Sequence, residues 1–319
     1  MSVKILTAAV VGLGNIGLGY DLKHQRNYVL THTKAFQKHQ GFNLLFGVDL
    51  HRGNQKAFTK FTGRPAFGSL REAAPDFDRV DVVSVCVPLN QRRQVLKDVF
   101  KFKPKVIILE KPMASTVREA QEFMRLCAKH KIALCINYPR RFDATTEKLH
   151  KIIQSKVYGK ILAAEVFYNG GLYNNASHFI DLLSVALGKI SVVKVLKRKN
   201  ESADYALDAV LKCANVPVYL KNVAAACPVG EVNFWFERGR VQYQRFGLEV
   251  VYSSLHKDKV FRQYDELAPT KREDTQLPYA LKHVIENVHE FLTQRKLLLS
   301  DGNTALETLM ICERIHRTK

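Results

Sequence analysis

The sequence predicts an α/β chain in two parts, an N-terminal doubly wound parallel sheet and a C-terminal α/β domain with a large, mostly antiparallel, open-faced sheet. Three observations carry this. Short apolar runs alternate with helix-patterned segments through the first part of the chain, and such alternation builds parallel strands because each helix returns the chain to the starting edge of the sheet. A glycine-rich loop directly follows the first apolar run. From Gly159 onward the pattern changes to longer strands in which apolar and polar residues alternate, as they do where only one face of a sheet is covered.

The first strand is read at Ile5 to Val11, and it runs straight into Gly12, Leu13, Gly14, Asn15, Ile16 and Gly17. A strand that turns into a helix through this glycine spacing is the setting in which the motif binds a dinucleotide. One glycine makes the tight turn, one lets the backbone approach a pyrophosphate, and one lets helix and strand pack closely. Amides at the helix N-terminus then face the phosphates. Further strands are expected at Leu44 to Val48, Val82 to Val87, Val106 to Leu109 and Ala133 to Ile136. The helices between them include Lys34 to His39, Gln91 to Phe100 and Val117 to His130, the last with Ala120, Phe123, Met124 and Cys127 on one face. Five such strands make a Rossmann domain, placed at residues 1–138, with 139–319 as a substrate-binding and oligomerisation domain.

An acidic residue at the end of the second strand normally accepts hydrogen bonds from the adenosine ribose. Asp49 is the candidate, 32 residues beyond Gly17 where about 20 is usual. The extra length is assigned to an insertion at Leu18 to Leu30, containing Tyr20, Asp21 and His24. A carboxylate at Asp49 repels the additional phosphate of NADP, so NAD is the first choice of cofactor. Arg52, three residues on, is the residue that would instead clamp that phosphate and admit NADP.

In the second part, Glu231 to Glu237 alternates Val232, Phe234 and Phe236 with Asn233 and Trp235, and an Arg238-Gly239 turn leads into Val241 to Arg245. Helices including Ser177 to Leu187 are expected on one face of the sheet. The other face is then free to pair with a second subunit, which points to a homodimer or homotetramer. Leu281 to Leu292 and Thr304 to Ile315 have apolar spacing near that of a helix.

With 319 residues, the chain exceeds the size at which one hydrophobic core usually stops growing, so two domains are expected. The formal net charge of +19 invites a nucleic-acid partner, and basic residues cluster in Lys101 to Lys105, Lys194 to Lys199 and Lys257 to Arg262. No helix-turn-helix, zinc-finger or RNA-binding signature accompanies that charge. A solvated basic surface that attracts anionic ligands is favoured, with no nucleic acid bound. Apolar runs are broken by charge well short of the roughly 20 residues that span a bilayer. Met1 to Val11 has the look of a short signal sequence, but its removal would delete the first strand, so a cytoplasmic location is expected. Six cysteines occur without any CxxC pair, which favours buried free thiols and no metal site.

At Glu110, Lys111 and Pro112 the chain resembles the glucose-fructose oxidoreductase, inositol dehydrogenase and rhizopine-catabolism (Gfo/Idh/MocA) family. The likeness covers nearly the whole chain: the glycine loop, Val87-Pro88, ILEKPMA at Ile108 to Ala114, YPRRF at Tyr138 to Phe142, YGKI at Tyr158 to Ile161, NNASHFID at Asn174 to Asp181 and SDGNTAL at Ser300 to Leu306. The resemblance implies a Rossmann domain followed by an α/β domain with an open sheet, NAD or NADP as cofactor, and a sugar, cyclitol or nucleotide sugar as substrate. It also places Val87, Pro88, Glu110 and Lys111 near the cofactor and implies a cis Lys111-Pro112 bond. Three departures stand out. Asn174, Asn175, Ala176, Ser177 and His178 replace the usual DxGxH, Arg92 stands where a histidine is common, and the insertion near Tyr20 is extra.

Oxidising a secondary alcohol needs a hydride acceptor and a base for the hydroxyl proton. His178 is the candidate base, since imidazole titrates near 6.5. Lys111 would stabilise developing alkoxide charge, or would itself be the base with its pKa lowered by the positive nicotinamide. Asn174, four residues before His178, shares its helical face and as a neutral amide can only orient the ring or the substrate. Tyr173 and Asn175 are further substrate candidates. Tyr138 and Arg141 either contact an anionic substrate group or stabilise the domain junction, and Asp181 either binds a sugar hydroxyl or makes a helix-face salt bridge. The residue pattern leaves two other functions open: redox-assisted elimination of a glycosidic bond, and a cofactor-binding regulator without catalysis, which the changes at Asn174 and Arg92 would suit.

Overall fold

The computed structural model describes residues 4–23, 27–199 and 204–318. In the first of two compact units, six strands pair in parallel: β1 (Leu6–Val11), β2 (Phe42–Val48), β3 (Ala66–Phe67), β4 (Val82–Val85), β5 (Val106–Glu110) and β6 (Ala133–Asn137). Their order is β3-β2-β1-β4-β5-β6. It reverses between β1 and β4, and in open α/β sheets ligands bind outside the carboxyl ends of the strands at such a switch point. The strands are mostly apolar, as in a parallel sheet whose faces are both covered, and all four residues of β4 are buried. The expectation of five strands missed β3, whose two residues are too few to show a period.

The helices of this part are α1 (Tyr20–Lys23), α2 (His32–Lys38), α3 (Arg52–Thr62), α4 (Leu70–Ala73), α5 (Leu89–Val99) and α6 (Val117–Lys129). α2 starts two residues earlier than its apolar pattern indicates, because the Thr31 hydroxyl accepts from Lys34 N at 3.3 Å and caps it. Asp21, buried in the inserted segment, accepts from Leu30 N (3.1 Å), Thr31 Oγ1 (2.7 Å) and Lys34 Nζ (3.2 Å). These bonds tie the insertion to the start of α2. His24 of the same segment lies outside the described residues.

In the second unit, α7 (Ala144–Ser155) and α8 (Ser177–Leu187) accompany eight strands: β7 (Ile161–Tyr168), β8 (Ile190–Lys199), β9 (Ala206–Cys213), β10 (Val216–Asn222), β11 (Gly230–Phe236), β12 (Gly239–Gln244), β13 (Glu249–Lys257) and β14 (Asp265–Asp274). They form one sheet, β14-β13-β12-β11-β7-β10-β9-β8, antiparallel at every pairing except β10 with β7. Val166, Phe234 and Val241 point from one face into a core with Leu149 of α7 and Phe179 and Leu183 of α8. The other face is polar near its centre. Trp235 Nε1 donates to Glu165 (2.9 Å), and the Arg240 guanidinium lies 4.8 Å above the Trp235 ring.

Two further helices follow, α9 (Ala280–Gln294) and α10 (Gly302–Arg317). They correct the expected division after residue 138, because the first unit comprises Met1–Phe142 with Pro278–Leu306, and the second Asp143–Leu277 with Glu307–Lys319. The reason is burial: Val284, Ile285 and Val288 of α9 share a core with Leu6, Phe36 and Phe42. His289 Nε2 also meets Lys4 O at 3.1 Å. Thiols Cys127, Cys135, Cys213 and Cys312 are free and buried as expected, whereas Cys86 is half-buried and Cys227 is exposed.

Candidate active site

The three glycines of the loop have three separate duties. Gly12 sits at φ +91°, and a Cβ there would lie 2.8 Å from the Cys86 carbonyl carbon. A Cβ on Gly17 would lie 1.9 Å from Gly12 O. Gly14 is different: nothing stands within 4 Å of the position its Cβ would take. The first and third glycines therefore permit the turn and the close packing, while the second keeps an open approach to the backbone of the kind a pyrophosphate needs. Asn15 and Ile16 begin a wide helical turn, Asn15–Gly19, in which Leu18 N and Gly19 N both donate to Gly14 O at 2.9 Å. Backbone bonds Gly12 N to Val48 O (2.8 Å) and Cys86 N to Val11 O (2.7 Å) hold the ends of β2, β1 and β4 together. Val87 is buried beside them, and exposed Pro88 caps α5.

Asp49 stands at the end of β2, as the sequence indicates. Its carboxylate is engaged by the loop itself, accepting from Leu13 N (2.7 Å), His51 N (2.8 Å) and Asn54 Nδ2 (3.1 Å). It braces the glycine loop from below. Arg52, the first residue of α3, is exposed.

The Glu110-Lys111-Pro112 segment leaves the end of β5 with a cis Lys111-Pro112 bond, in agreement with the resemblance. Lys111 is half-buried. What holds the segment is Arg92 of α5, the residue that departs from the family pattern. Its side chain is 2% exposed, and its guanidinium donates to Glu110 O (2.8 Å), Pro112 O, Met113 O (3.1 Å) and Val87 O (3.3 Å). Burial pulls the Arg92 pKa down, against the attraction of the Glu110 carboxylate.

Glu110 turns its carboxylate inward, to His32 Nε2 (2.9 Å) and Asn137 Nδ2 (2.7 Å). His32 Nδ1 pairs with Ser84 Oγ at 3.0 Å. Burial works against a charged His32, but its electrostatic and hydrogen-bonding interactions with Cys86 and Glu110 outweigh it and raise the imidazole to about 10. Burial likewise works against the Glu110 charge, and its bonds from His32 and Asn137 overcome this and hold the carboxyl below its ordinary value. Sequence reasoning missed both Arg92 as a clamp and His32 as a partner. Their signal lies in contacts 18 to 78 residues apart, which spacing along the chain does not display.

Tyr138 is 2% exposed. Arg141 is half-buried and donates weakly to Leu299 O at 3.4 Å. Both belong to the first unit, whereas the division after residue 138 placed Arg141 in the second domain. In the second unit, the wide turn Leu172–Ala176 runs into α8 and carries Tyr173, Asn174 and Asn175 ahead of His178. Asn174 is exposed and His178 half-buried. The Asp204 carboxylate accepts from Tyr173 N (2.8 Å) and Asn174 N (2.7 Å) and anchors the turn. The Tyr173 hydroxyl meets His316 Nδ1 at 3.2 Å, so it faces α10. Asn175 donates to Asn169 O at 2.8 Å and lines a cleft. Asp181 is fully buried, and its carboxylate accepts from the Thr308 hydroxyl at 3.1 Å.

Residues 6–138 match the model of the oxidoreductase family with an NAD-binding Rossmann fold, Gfo/Idh/MocA. An uncharacterised oxidoreductase of Schizosaccharomyces pombe is 25% identical over 63% of this chain and 62% of its own length, so the match spans under two thirds of that relative. Among solved structures, a 3-ketoreductase from Actinomadura kijaniata in complex with TDP-benzene and NADP superposes with a TM-score of 0.77 at 14% identity, covering 99% of this chain and 98% of the other. The WlbA dehydrogenase from Bordetella pertussis, in complex with NADH and UDP-GlcNAcA, gives 0.75 at 18% identity over 99% and 96%. Residues 6–138 thus carry the NAD-binding Rossmann fold of the Gfo/Idh/MocA oxidoreductase family, and the chain as a whole shares the fold of these solved structures.

Proposed function

We propose that this oxidoreductase transfers a hydride between a nicotinamide cofactor and a secondary alcohol of a sugar, cyclitol or nucleotide sugar. The observation that carries the reading is the linkage, within the first unit, of the glycine loop, the Val87 turn and the Lys111 segment at the switch point of the parallel sheet. Gly12 abuts the Cys86-Val87 backbone, and Arg92 ties Val87 to Pro112. A bound nicotinamide nucleotide supplies the hydride-accepting ring. Gly12, Gly14 and Gly17 shape its phosphate cradle, and Asp49 with its carboxylate beside the loop favours NAD over NADP. Lys111 donates a hydrogen bond to the substrate oxygen, and His178 takes the hydroxyl proton. Asn174 orients that ring or the substrate without adding charge. The sugar-type substrate is supported by the nucleotide ligands of the two structural neighbours. The uncovered face of the second unit's sheet is where a homodimer or homotetramer would form.

The test is turnover of a panel of sugars, cyclitols and nucleotide sugars, followed by accumulation of reduced nicotinamide, with Lys111→Met as the variant. Loss of a positioned acid–base group lowers rates about 10²- to 10⁴-fold, so kcat should collapse in a variant that still binds NAD. A Lys111→Met enzyme that keeps normal turnover removes the lysine from the chemistry. Substrate consumption without any net reduced nicotinamide would favour elimination instead.

A further inference from the structure

The second unit contains a cleft of about 860 Å³ that the reaction as proposed leaves unassigned. Asn169, Asn175, Cys227, Arg245 and Phe246 are among its lining residues, and Arg245 is the only charged one. Three consecutive residues on its rim, Arg245 (φ +53°), Phe246 (φ +60°) and Gly247 (φ +88°), are left-handed. Two of the three carry side chains, for which this conformation is unfavourable. Such backbone persists only where its surroundings over-determine it, and it clusters at ligand sites.

The surroundings are specific. The buried Thr275 hydroxyl donates to Gly247 O at 2.7 Å, and Thr275 N donates to Leu248 O at 2.9 Å. The Phe246 ring packs edge-on against Phe179 at 5.8 Å. Gly230 is squeezed between those two rings, with 2.5 Å and 2.6 Å to its would-be Cβ. With Phe246 pinned inward, the reversal turns Arg245 outward at the cleft rim, exposed and with no ion pair or side-chain hydrogen bond among the described residues.

The opposite wall is equally fixed. The Asn169 side chain donates to Cys227 O (2.7 Å) and accepts from Val229 N (2.9 Å), while its carbonyl takes the Asn175 amide. Asn175 belongs to the turn that leads into α8, three residues ahead of His178. The cleft thus combines one uncompensated guanidinium, amide groups held in place, and mostly apolar walls. Its volume is at the upper end of the roughly 300–1,000 Å³ of small-molecule sites.

We infer that this cleft is an anion-recognising subsite, in which Arg245 binds a carboxylate or phosphate carried by the sugar substrate. The inference rests on the reading of the chain as a sugar oxidoreductase and narrows it to acidic substrates. A planar guanidinium suits both anions, because it presents parallel N–H donors to two oxygens.

The test uses the full chain loaded with NAD, with calorimetric titration of glucuronate, glucose 6-phosphate and UDP-glucose against neutral glucose and myo-inositol. At least one anionic probe should bind more tightly than every neutral one. Arg245→Gln should weaken that probe about tenfold or more, as loss of a charge-assisted pair does, without changing NAD affinity. Binding by glucuronate alone would assign a carboxylate, and binding by glucose 6-phosphate or UDP-glucose a phosphate; either outcome supports the inference. Equal affinity for neutral and anionic probes, no binding of any probe, or an Arg245→Gln variant that binds as the parent does would overturn it. In each of those cases intact NAD binding leaves the oxidoreductase reading standing, whereas failure to bind NAD strikes at that reading itself.

Discussion

Arg92→Ala is the most informative single change in the first unit. It removes a guanidinium that is 2% exposed and donates to four backbone carbonyls, at Val87, Glu110, Pro112 and Met113. A hydrogen bond from a charged donor contributes about 1.5–3 kcal/mol net, so four suggest a large sum, but burying the guanidinium itself offsets much of it. Breaking a buried charged contact by deleting one partner costs about 3–5 kcal/mol in comparable cases, and that is the expected loss. For a domain of this size it corresponds to a fall in melting temperature of roughly 6–20 °C. Arg92→Lys should lie between, because an ammonium with three donors cannot span both the Val87 and Pro112 segments in one plane. Thermal melting with and without NAD, together with kcat and KM for NAD, gives the readout. The clamp also fixes Lys111, so kcat should fall in variants that still melt cooperatively at the assay temperature. A stability loss under about 1 kcal/mol, the ordinary effect of a point change, would refute the account of Arg92 as the holder of this segment.

Three further outcomes follow from the same coordinates. Gly14→Ala meets no protein atom within 4 Å, so it should melt within about 0.5 kcal/mol of the parent yet lose NAD affinity; Gly17→Ala, with its Cβ 1.9 Å from Gly12 O, should lose both. Unchanged NAD binding in Gly14→Ala would move the phosphates elsewhere. His32 is raised from 6.5 to about 10, so its contribution to stability is fully present below about pH 6.5 and is lost as pH rises through about 10. Glu110, held below 4.5, contributes fully above that value and loses its contribution as pH falls through its lowered folded pKa. Urea midpoints across pH should therefore decline less steeply between pH 6.5 and 10 in Glu110→Gln than in the parent, and parallel curves would deny the pair. Trp235, the single tryptophan, lies on the uncovered sheet face beside Glu165 and Arg240. If two copies pair through this face as proposed, its emission should shift to the red on dilution to the monomer, and a constant spectrum across that dilution would remove this face from the proposed pairing.

The sequence alone determined the elements whose information is local. The glycine loop is legible because turn, approach and packing each forbid a side chain at a fixed spacing. The parallel strands show as short, mostly apolar runs, and β11 shows its inward Val232, Phe234 and Phe236 by alternation, since strand geometry has a period of two. Family motifs made Lys111 and His178 the catalytic candidates. What only the tertiary structure decided involves partners distant along the chain. Asp49 braces the loop through Leu13, Glu110 turns inward to His32 and Asn137, and Asp181 is sealed against Thr308. α9 returns to the core of the first unit. A carboxylate has the same sequence signature whether it faces a ligand or a neighbour, because only the burial and donors around it, brought together on folding, determine which of the two it binds.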